Sequence, residues 1–343
     1  MAKTMTCRER FHSIATFQPF DRLPILEWAP WWKKTLDRWR GEGLPDSVVR
    51  RPDFWRHFGL DGYRQEVFRP AKPTCPRPPY HGAGILKTME QYEALREHFY
   101  PRPAGGEARW TATLDAEQGP EVVQWFTIQG AFMFPRSILG IEHHLLAFYE
   151  QPELMRRILE DMTEWALLVV EEYCPVARPE FMTFAEDLSY NGGPMISEDV
   201  FDEFLLPFYR RLIPRIKAHG VIPFIDSDGD IARPMDWFKR AGIEGILPLE
   251  RQAGVDVPSL RERHPRFLFV GHYDKMRMNK GEAALRGEFE RLIPVAGRGG
   301  FLIACDHQTP PGVSYQEYQL YLSLFREYAD EAGCLSRCAQ STR

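Results

Sequence analysis

The sequence predicts an α/β fold, a (β/α)8 or TIM barrel, as a single domain over residues 1–343 with an N-terminal helical extension. Three observations predict it. Short apolar runs of strand length alternate with helical patterns. Polar residues gather immediately after those runs. A length of 343 residues suits one barrel with insertions. Alternation of this kind implies parallel strands joined by right-handed crossovers.

Eight runs read as strands: residues 22–28, 62–68, 122–128, 181–185, 221–225, 245–249, 267–270 and 300–304. Between them lie amphipathic helical stretches. One covers 141–172 as two helices broken near Gln151-Pro152. A second covers 197–219, with Ser197 as N-cap and Glu198 and Asp199 in the first turn, where the helix dipole favours acids. A third covers 315–332. The Pro-rich stretch 69–79 and the break at 101–106 read as surface loops, since proline blocks ladder hydrogen bonds and glycine relaxes the backbone. Neither has the composition of a domain linker, and no internal repeat is present.

Composition narrows the function. Lys and Arg number 43 against 48 Asp and Glu, so the net charge of −5 offers no global basic field for nucleic acid. The first ten residues lack the apolar core of a signal peptide, and no apolar run is long enough to span a bilayer. Six scattered cysteines read as free thiols in a reducing compartment, so a cytoplasmic location is expected. Nine tryptophans, several near the N-terminus, point to an aromatic-lined pocket.

The polar residues after the apolar runs are Glu27, Glu186 with Asp187, Asp226 with Asp228, Glu250, His272 with Asp274, and Asp306 with His307. In a barrel these strand ends share one rim, which carries the active site. An acid at a strand end also suits a helix cap, but His272 and His307 do not. Asp226 and Asp228 are two apart, so on an extended end they face the same side. Two such carboxylates either bind a cation or repel each other and raise one pKa toward general-acid use. The stretch Asp226-Ser-Asp-Gly-Asp230 is a poor calcium loop, because its glycine comes too early and the terminal bidentate acid is missing. Glu186-Asp187 precedes a loop, Leu188-Ser-Tyr-Asn-Gly-Gly-Pro194, where backbone can approach a ligand, with Tyr190 at its centre. The sequence has no nucleophile elbow, P-loop or dinucleotide fingerprint, and no D-x-H-x-x-G segment that would hold a corrinoid.

Taken together, several segments resemble the uroporphyrinogen decarboxylase superfamily. Arg8-Glu-Arg-Phe11 and Phe20-Asp-Arg-Leu-Pro24 resemble its opening. Phe184-Ala-Glu-Asp187, Gly193-Pro-Met-Ile-Ser197 and Phe204-Leu-Leu-Pro207 resemble its central motif. Asp226-Ser-Asp-Gly229, Pro248-Leu-Glu250, Gly271-His-Tyr-Asp-Lys275, Asp306-His307 and Pro310-Pro311 resemble its later strand ends. The resemblance implies a (β/α)8 barrel and one of two chemistries. One is cofactor-free decarboxylation of porphyrinogen acetate arms. The other is methyl transfer between a corrinoid and an acceptor, with zinc held by His, Cys and Cys.

This chain departs from both patterns. The arginine-rich segment of the decarboxylases is replaced by Leu26-Glu-Trp-Ala-Pro-Trp-Trp-Lys-Lys34, so Glu27 stands where cationic groups would receive substrate carboxylates. The His-x-Cys of the methyltransferases falls on Asp226 and Asp228, and the final Cys falls at or near His307. Methyl transfer with a corrinoid on a separate protein is the expected function. Glu186, Asp187, Asp228 and His307 are the expected catalytic groups. Asp226, Asp228 and His307 are the expected ligands of a divalent metal, zinc before others. Glu27, Trp28, Trp31, Tyr190, Glu250 and His272 are expected to bind a small methylated substrate, with Trp32 in the same aromatic cluster. The alternatives are decarboxylation of a porphyrinogen or other carboxylated substrate, and a non-catalytic tetrapyrrole-binding barrel. Neither nucleic acid nor membrane is expected as a partner, and a homodimer is compatible with the sequence.

Overall fold

Strand formation follows the apolar runs closely. The computed structural model describes residues 4–29, 31–103 and 122–340. The parallel strands are β1 (Tyr63–Phe68), β2 (Val123–Gln129), β3 (Phe181–Ala185), β6 (Ile222–Asp226), β7 (Gly245–Leu247), β8 (Leu268–Tyr273) and β9 (Phe301–Cys305). Two short strands, β4 (Ser189–Tyr190) and β5 (Gly193–Pro194), form an antiparallel hairpin after β3. Every residue of β8 and of β9 is buried, as expected of parallel strands covered on both faces.

The run 22–28 is the exception and forms no strand. Pro24 removes a donor, and the remaining backbone groups find other partners. The Ile25 amide donates to the Asp61 carboxylate at 2.7 Å, the Asp61 amide donates to the Ile25 carbonyl at 2.7 Å, and the Leu23 amide donates to the Ala329 carbonyl at 3.1 Å. Seven parallel strands therefore stand, among the described residues, where eight were expected. The fold is α/β with strands adjacent in chain order, the order of a (β/α)8 barrel.

The chain divides into two compact units, one of Met1–Tyr63, Glu117–Val123 and Gly245–Arg343, the other of Arg64–Ala116 and Gln124–Glu244. In the second, or middle, unit β2, β3 and β6 pair in parallel with Thr127 opposite Thr183 and Ala185 opposite Asp226. The Thr127 and Thr183 hydroxyls bond each other at 2.7 Å, and Gln65 on β1 donates to Thr127 at 3.0 Å. Helices Ile141–Glu150 and Pro152–Ala177 are separated at Gln151, where Pro152 starts the second helix in a position that needs no amide donor. Ser197 caps its helix by accepting from the Val200 amide at 3.2 Å; a π-helical turn, Phe201–Leu205, leads into Leu206–Ala218. The loop at 69–79 is irregular as expected; of 101–106, residues 101–103 are irregular too and 104–106 lie outside the described residues.

In the first, or terminal, unit β7, β8 and β9 pair in parallel, with Tyr273 opposite Cys305. Three N-terminal helices, Cys7–Ala15, Lys33–Gly41 and Arg51–Phe58, belong to this unit. Thr6 and Glu9 close a capping box on the first of them. Trp31, Trp39, Phe54, Phe58 and Tyr318 form an aromatic core between these helices and Tyr315–Gln340. Among the described residues no helix is long and apolar enough to cross a membrane.

Asp61 holds the non-strand entry segment in place. Besides the Ile25 amide it accepts from both Arg22 guanidinium nitrogens, at 2.6 and 2.9 Å, and from the Cys7 thiol at 3.0 Å. Burial alone would raise its pKa, but Arg22 outweighs that and holds it below the usual carboxylate range. Its stabilising effect is present above the unfolded pKa and lost as pH falls through the folded one. Asp61→Ala is therefore expected to lower unfolding free energy at neutral pH by about 3 kcal/mol, the cost of orphaning a largely buried ion pair. Denaturant titrations should show the gap to wild type narrowing on acidification; a gap absent at neutral pH contradicts this role.

Candidate active site

In the middle unit, register brings the ends of β3 and β6 level, so Glu186 and Asp187 follow one strand beside Asp226 at the end of the other. The Asp226 carbonyl accepts the Glu186 amide at 2.8 Å and the Asp187 amide at 3.4 Å. This pairing folds the chain after β3 against the end of β6. Asp187 pays for the turn with a left-handed backbone, φ 44°. The Arg136 guanidinium donates to its carbonyl at 3.2 Å.

Glu186 is 0% exposed and fully engaged. Its carboxyl accepts from the Ala131, Phe132 and Met133 amides at 2.8, 2.7 and 3.3 Å, and from the Tyr209 hydroxyl. Gly130, directly after β2, makes room for it, because a Cβ there would overlap the carboxyl group. Burial raises its pKa to about 7, with Tyr209 and the three amides pulling the other way. Glu186 thus fastens the end of β3 to the chain after β2. Its carboxyl, expected as a catalytic group, is engaged by these four donors within the fold.

The carboxyl of Asp226 is different. Its surroundings are acidic: burial, then the charges of Asp187 and of Asp228, push its pKa well above the usual range. A neutral carboxylic acid is the form this environment favours. The following loop is shaped by Gly229 (φ 82°), where any Cβ would lie 2.7 Å from the Tyr190 backbone. The Asp230 amide donates to the Tyr190 carbonyl at 2.9 Å, and the Asp230 carboxylate accepts from the Ala232 amide at 2.9 Å. The local turn is therefore held by Asp230, and the helix Pro234–Ala241 has no side-chain cap bond at its start. Tyr190 is 57% exposed on the β4–β5 hairpin, with its backbone fixed by this loop.

In the terminal unit, Glu27 is buried and accepts from the Cys305 amide and the Tyr318 hydroxyl, both at 3.3 Å. Burial lifts its pKa to about 8, against the Cys305 amide and the Tyr318 and Tyr321 hydroxyls. Trp28 donates its indole N–H to the Cys305 carbonyl at 2.9 Å and meets the His307 ring edge-on at 6.2 Å between centroids. Trp32, 49% exposed, stacks on the same imidazole at 6.3 Å. Trp31 is instead packed in the aromatic core, at 4.9 Å from Phe54, and contributes to a cavity of about 180 Å³ shared with Glu27, Arg51, Trp55 and Tyr63.

Lys275, just after β8, links two acids that follow the strands on either side of it, Glu250 after β7 and Asp306 after β9. Its ammonium lies 3.1 Å from Glu250 and 3.6 Å from Asp306. Asp306 also accepts the Arg251 amide at 3.0 Å and the Lys275 amide at 3.2 Å. Burial nonetheless raises Asp306 to about 6, with Lys275 opposing. His272, expected to bind substrate, is a structural imidazole: it is 0% exposed, Nδ1 bonds the Leu249 carbonyl at 2.7 Å, and Nε2 accepts the Val257 amide at 3.1 Å. Burial holds it neutral by lowering its pKa to about 3.

Sequence reading singled out neither Lys275 as a charge partner nor Gly130, Tyr209 and Tyr318 as supports. Lys275 closes the segment Gly271-His-Tyr-Asp-Lys275 and Gly130 ends an apolar run, so both carried a positional signal; the two tyrosines lie inside helical patterns and carried none. Among the described residues no three His, Cys, Asp or Glu side chains gather as a metal-ligand set.

The family model described as Uroporphyrinogen decarboxylase (URO-D) matches residues 87–328. The chain belongs to the uroporphyrinogen decarboxylase family. In three dimensions this family member is similar to a methyltransferase from Methanosarcina mazei, with TM-score 0.63 and 14% identity over 94% of this chain and 98% of the other. A putative vitamin-B12 independent methionine synthase from Listeria monocytogenes follows at TM-score 0.43 and 11% identity, covering 91% of this chain and 98% of its own. None of the curated proteins matches the sequence. The first similarity shows a shared fold, and for this uroporphyrinogen decarboxylase relative the chemistry rests on its own side chains.

Glu27 gives a pH test. Unfolded, it titrates at the ordinary carboxyl value of 4.5; folded, burial pushes it up to about 8. Between these the folded protein holds the extra proton, so stability falls as pH rises. Glu186 and Asp306 act the same way only up to about 7 and about 6. Glu27→Gln is expected to flatten the stability profile by a few kcal/mol, most distinctly between pH 7 and 8. A denaturation series across this range that gives parallel profiles for both proteins would show that Glu27 is charged when folded.

Proposed function

We propose that this family member transfers a methyl group from a small methylated oxygen or nitrogen compound to an acceptor carried by a separate protein. The single observation that carries the reading is the acid cluster of Asp187, Asp226 and Asp228. It supplies a neutral carboxylic acid, and it disfavours a polycarboxylate substrate. A porphyrinogen would bring further carboxylates against groups that already repel one another.

A corrinoid on the partner protein would accept the methyl group. The chain's own contribution is proton management and orientation. As the methyl–oxygen or methyl–nitrogen bond breaks, its electron pair stays on the leaving atom, and Asp226 donates its proton there. Asp187 and Asp228 keep that proton on Asp226 by their charge until the leaving atom takes it, and their repulsion favours reprotonation of Asp226 from solvent afterwards. Glu186 fixes Asp187 through the strand end, and Tyr190 offers an exposed aromatic face beside the loop. In the terminal unit Trp28, Trp32 and His307 present aromatic faces of the kind that bind flat or methylated groups. Zinc held by Asp226, Asp228 and His307 is the competing reading, and metal content separates the two.

Asp226→Asn removes the transferable proton while keeping the size. It is expected to lower kcat by about 10²–10⁴-fold with little change in KM, the range for losing a general acid. In wild type, activity should decline as pH rises through the pKa of Asp226, and that limb should vanish in the variant. An anaerobic assay with a reduced corrinoid protein and aryl methyl ethers or methylamines reads this directly. Undiminished transfer by Asp226→Asn contradicts the assignment, and efficient decarboxylation of uroporphyrinogen contradicts the reaction class.

Elemental analysis provides an independent check. Purified wild type is expected to hold well under one divalent metal per chain, with no change in Asp228→Ala. One equivalent in wild type that disappears in Asp228→Ala would replace proton donation by metal binding at this cluster.

A further inference from the structure

We propose that the terminal unit carries a second binding site, for a phosphoryl-bearing anion, built from Arg261, Arg266 and Arg298 at the N-terminal ends of β8 and β9. The three arginines line a cavity of about 640 Å³ together with Phe17, Gln18 and Ser336. Arg266 lies two residues before β8 begins at Leu268, and Arg298 three before β9 begins at Phe301. Glu27, His307 and the Lys275 pair belong to the opposite ends of these strands. Within the terminal unit the cavity is thus separate from Trp28, Trp32 and His307, and the proposal does not depend on the methyl-transfer assignment.

The cationic character is built in. Arg261 is only 5% exposed, and its guanidinium is held entirely by neutral acceptors. Nη1 donates to the Pro265 and Phe267 carbonyls at 3.0 and 2.8 Å, and Nη2 to those of Gly299 and Gly300 at 3.4 and 2.8 Å. Its Nε is buried with no hydrogen-bond partner among the described residues. Burial, Arg298 and Arg266 together lower its pKa to about 10, which records how poorly the positive charge is compensated. Arg261 and Arg266 both lie over the Phe17 ring, at 5.3 and 4.2 Å from its centroid. Phe17 itself takes a left-handed backbone, φ 59°, to sit there. Gly300 (φ 70°) is needed as glycine, because a Cβ would strike the Phe17 ring and come within 2.9 Å of the Arg261 guanidinium.

Glu262 is the only acid lining the cavity among the described residues, against three arginines. Arg266 and Arg298 are exposed, so their forks are open to a ligand. Planar guanidinium groups pair bidentately with phosphoryl oxygens, and a multiply charged group suits three of them better than a single carboxylate does. The volume accommodates a ligand up to the size of a small nucleotide.

The test is calorimetric titration of the full chain with pyrophosphate at low ionic strength. Saturable binding is expected, weakened by about tenfold or more in each of Arg266→Ala and Arg298→Ala, a loss of about 1.4 kcal/mol per factor of ten. Both side chains are exposed, so the thermal midpoints of the variants should match wild type. Arg211→Ala, an arginine of the middle unit, should bind as wild type does. Citrate serves as the carboxylate arm. Citrate binding equal to or tighter than pyrophosphate overturns the phosphoryl assignment. No saturable binding of pyrophosphate, or equal binding by wild type and both cavity variants, overturns the site.

Discussion

Burying carboxyl groups at the ends of parallel strands, or packed against them, is the constraint on which the rest of this structure depends. Removing a carboxylate from water is costly unless it is paired, hydrogen-bonded or protonated. Glu186 is surrounded by three amides and a tyrosine hydroxyl. Asp306 is served by Lys275 and two amides. Glu27 has one amide, that of Cys305, and the Tyr318 hydroxyl. Asp226, half-buried, faces two further acids instead, which favours its protonated form. The same constraint therefore sorts four acids into three that brace the fold and one with chemistry to offer.

The bracing explains local features that otherwise look unrelated. Gly130 has no side chain because the Glu186 carboxyl occupies that space. Tyr209 reaches from the helix Leu206–Ala218 to the same carboxyl, so the helix and the strand end are fixed together. Gly229 lets the acidic loop lie on the Tyr190 backbone, which sets the hairpin after β3. Left-handed backbones at Asp187, Leu249 and His272 fall at strand ends or just beyond them, where chain direction must change sharply.

Much of the fold was legible because parallel strands buried on both faces leave continuous apolar runs, as at 181–185 and 300–304. The break at Gln151-Pro152 and the Ser197 cap were legible because proline and serine act locally. Run 22–28 misled because its apolar residues are buried without a ladder; its amides are satisfied by Asp61 and Ala329, partners distant in sequence. The site was legible in residue type and less so in role. Glu186 and His272 sit where active-site groups belong, yet every polar atom of each is spent on the fold. Spacing alone gives no measure of such saturation. It did single out Asp226 and Asp228 as a pair that either binds a cation or repels, and the electrostatics of Asp226 carry the signature of repulsion.

The central claim is that Asp226 is a neutral acid at working pH. Infrared difference spectroscopy of wild type against Asp226→Asn, in protein labelled with ¹³C-aspartate, measures this at the carboxyl itself. The account predicts a protonated C=O stretch at neutral pH that is present in wild type, absent in Asp226→Asn and lost on raising the pH. A carboxylate signature for Asp226 at neutral pH, with no protonated band to lose, would contradict it.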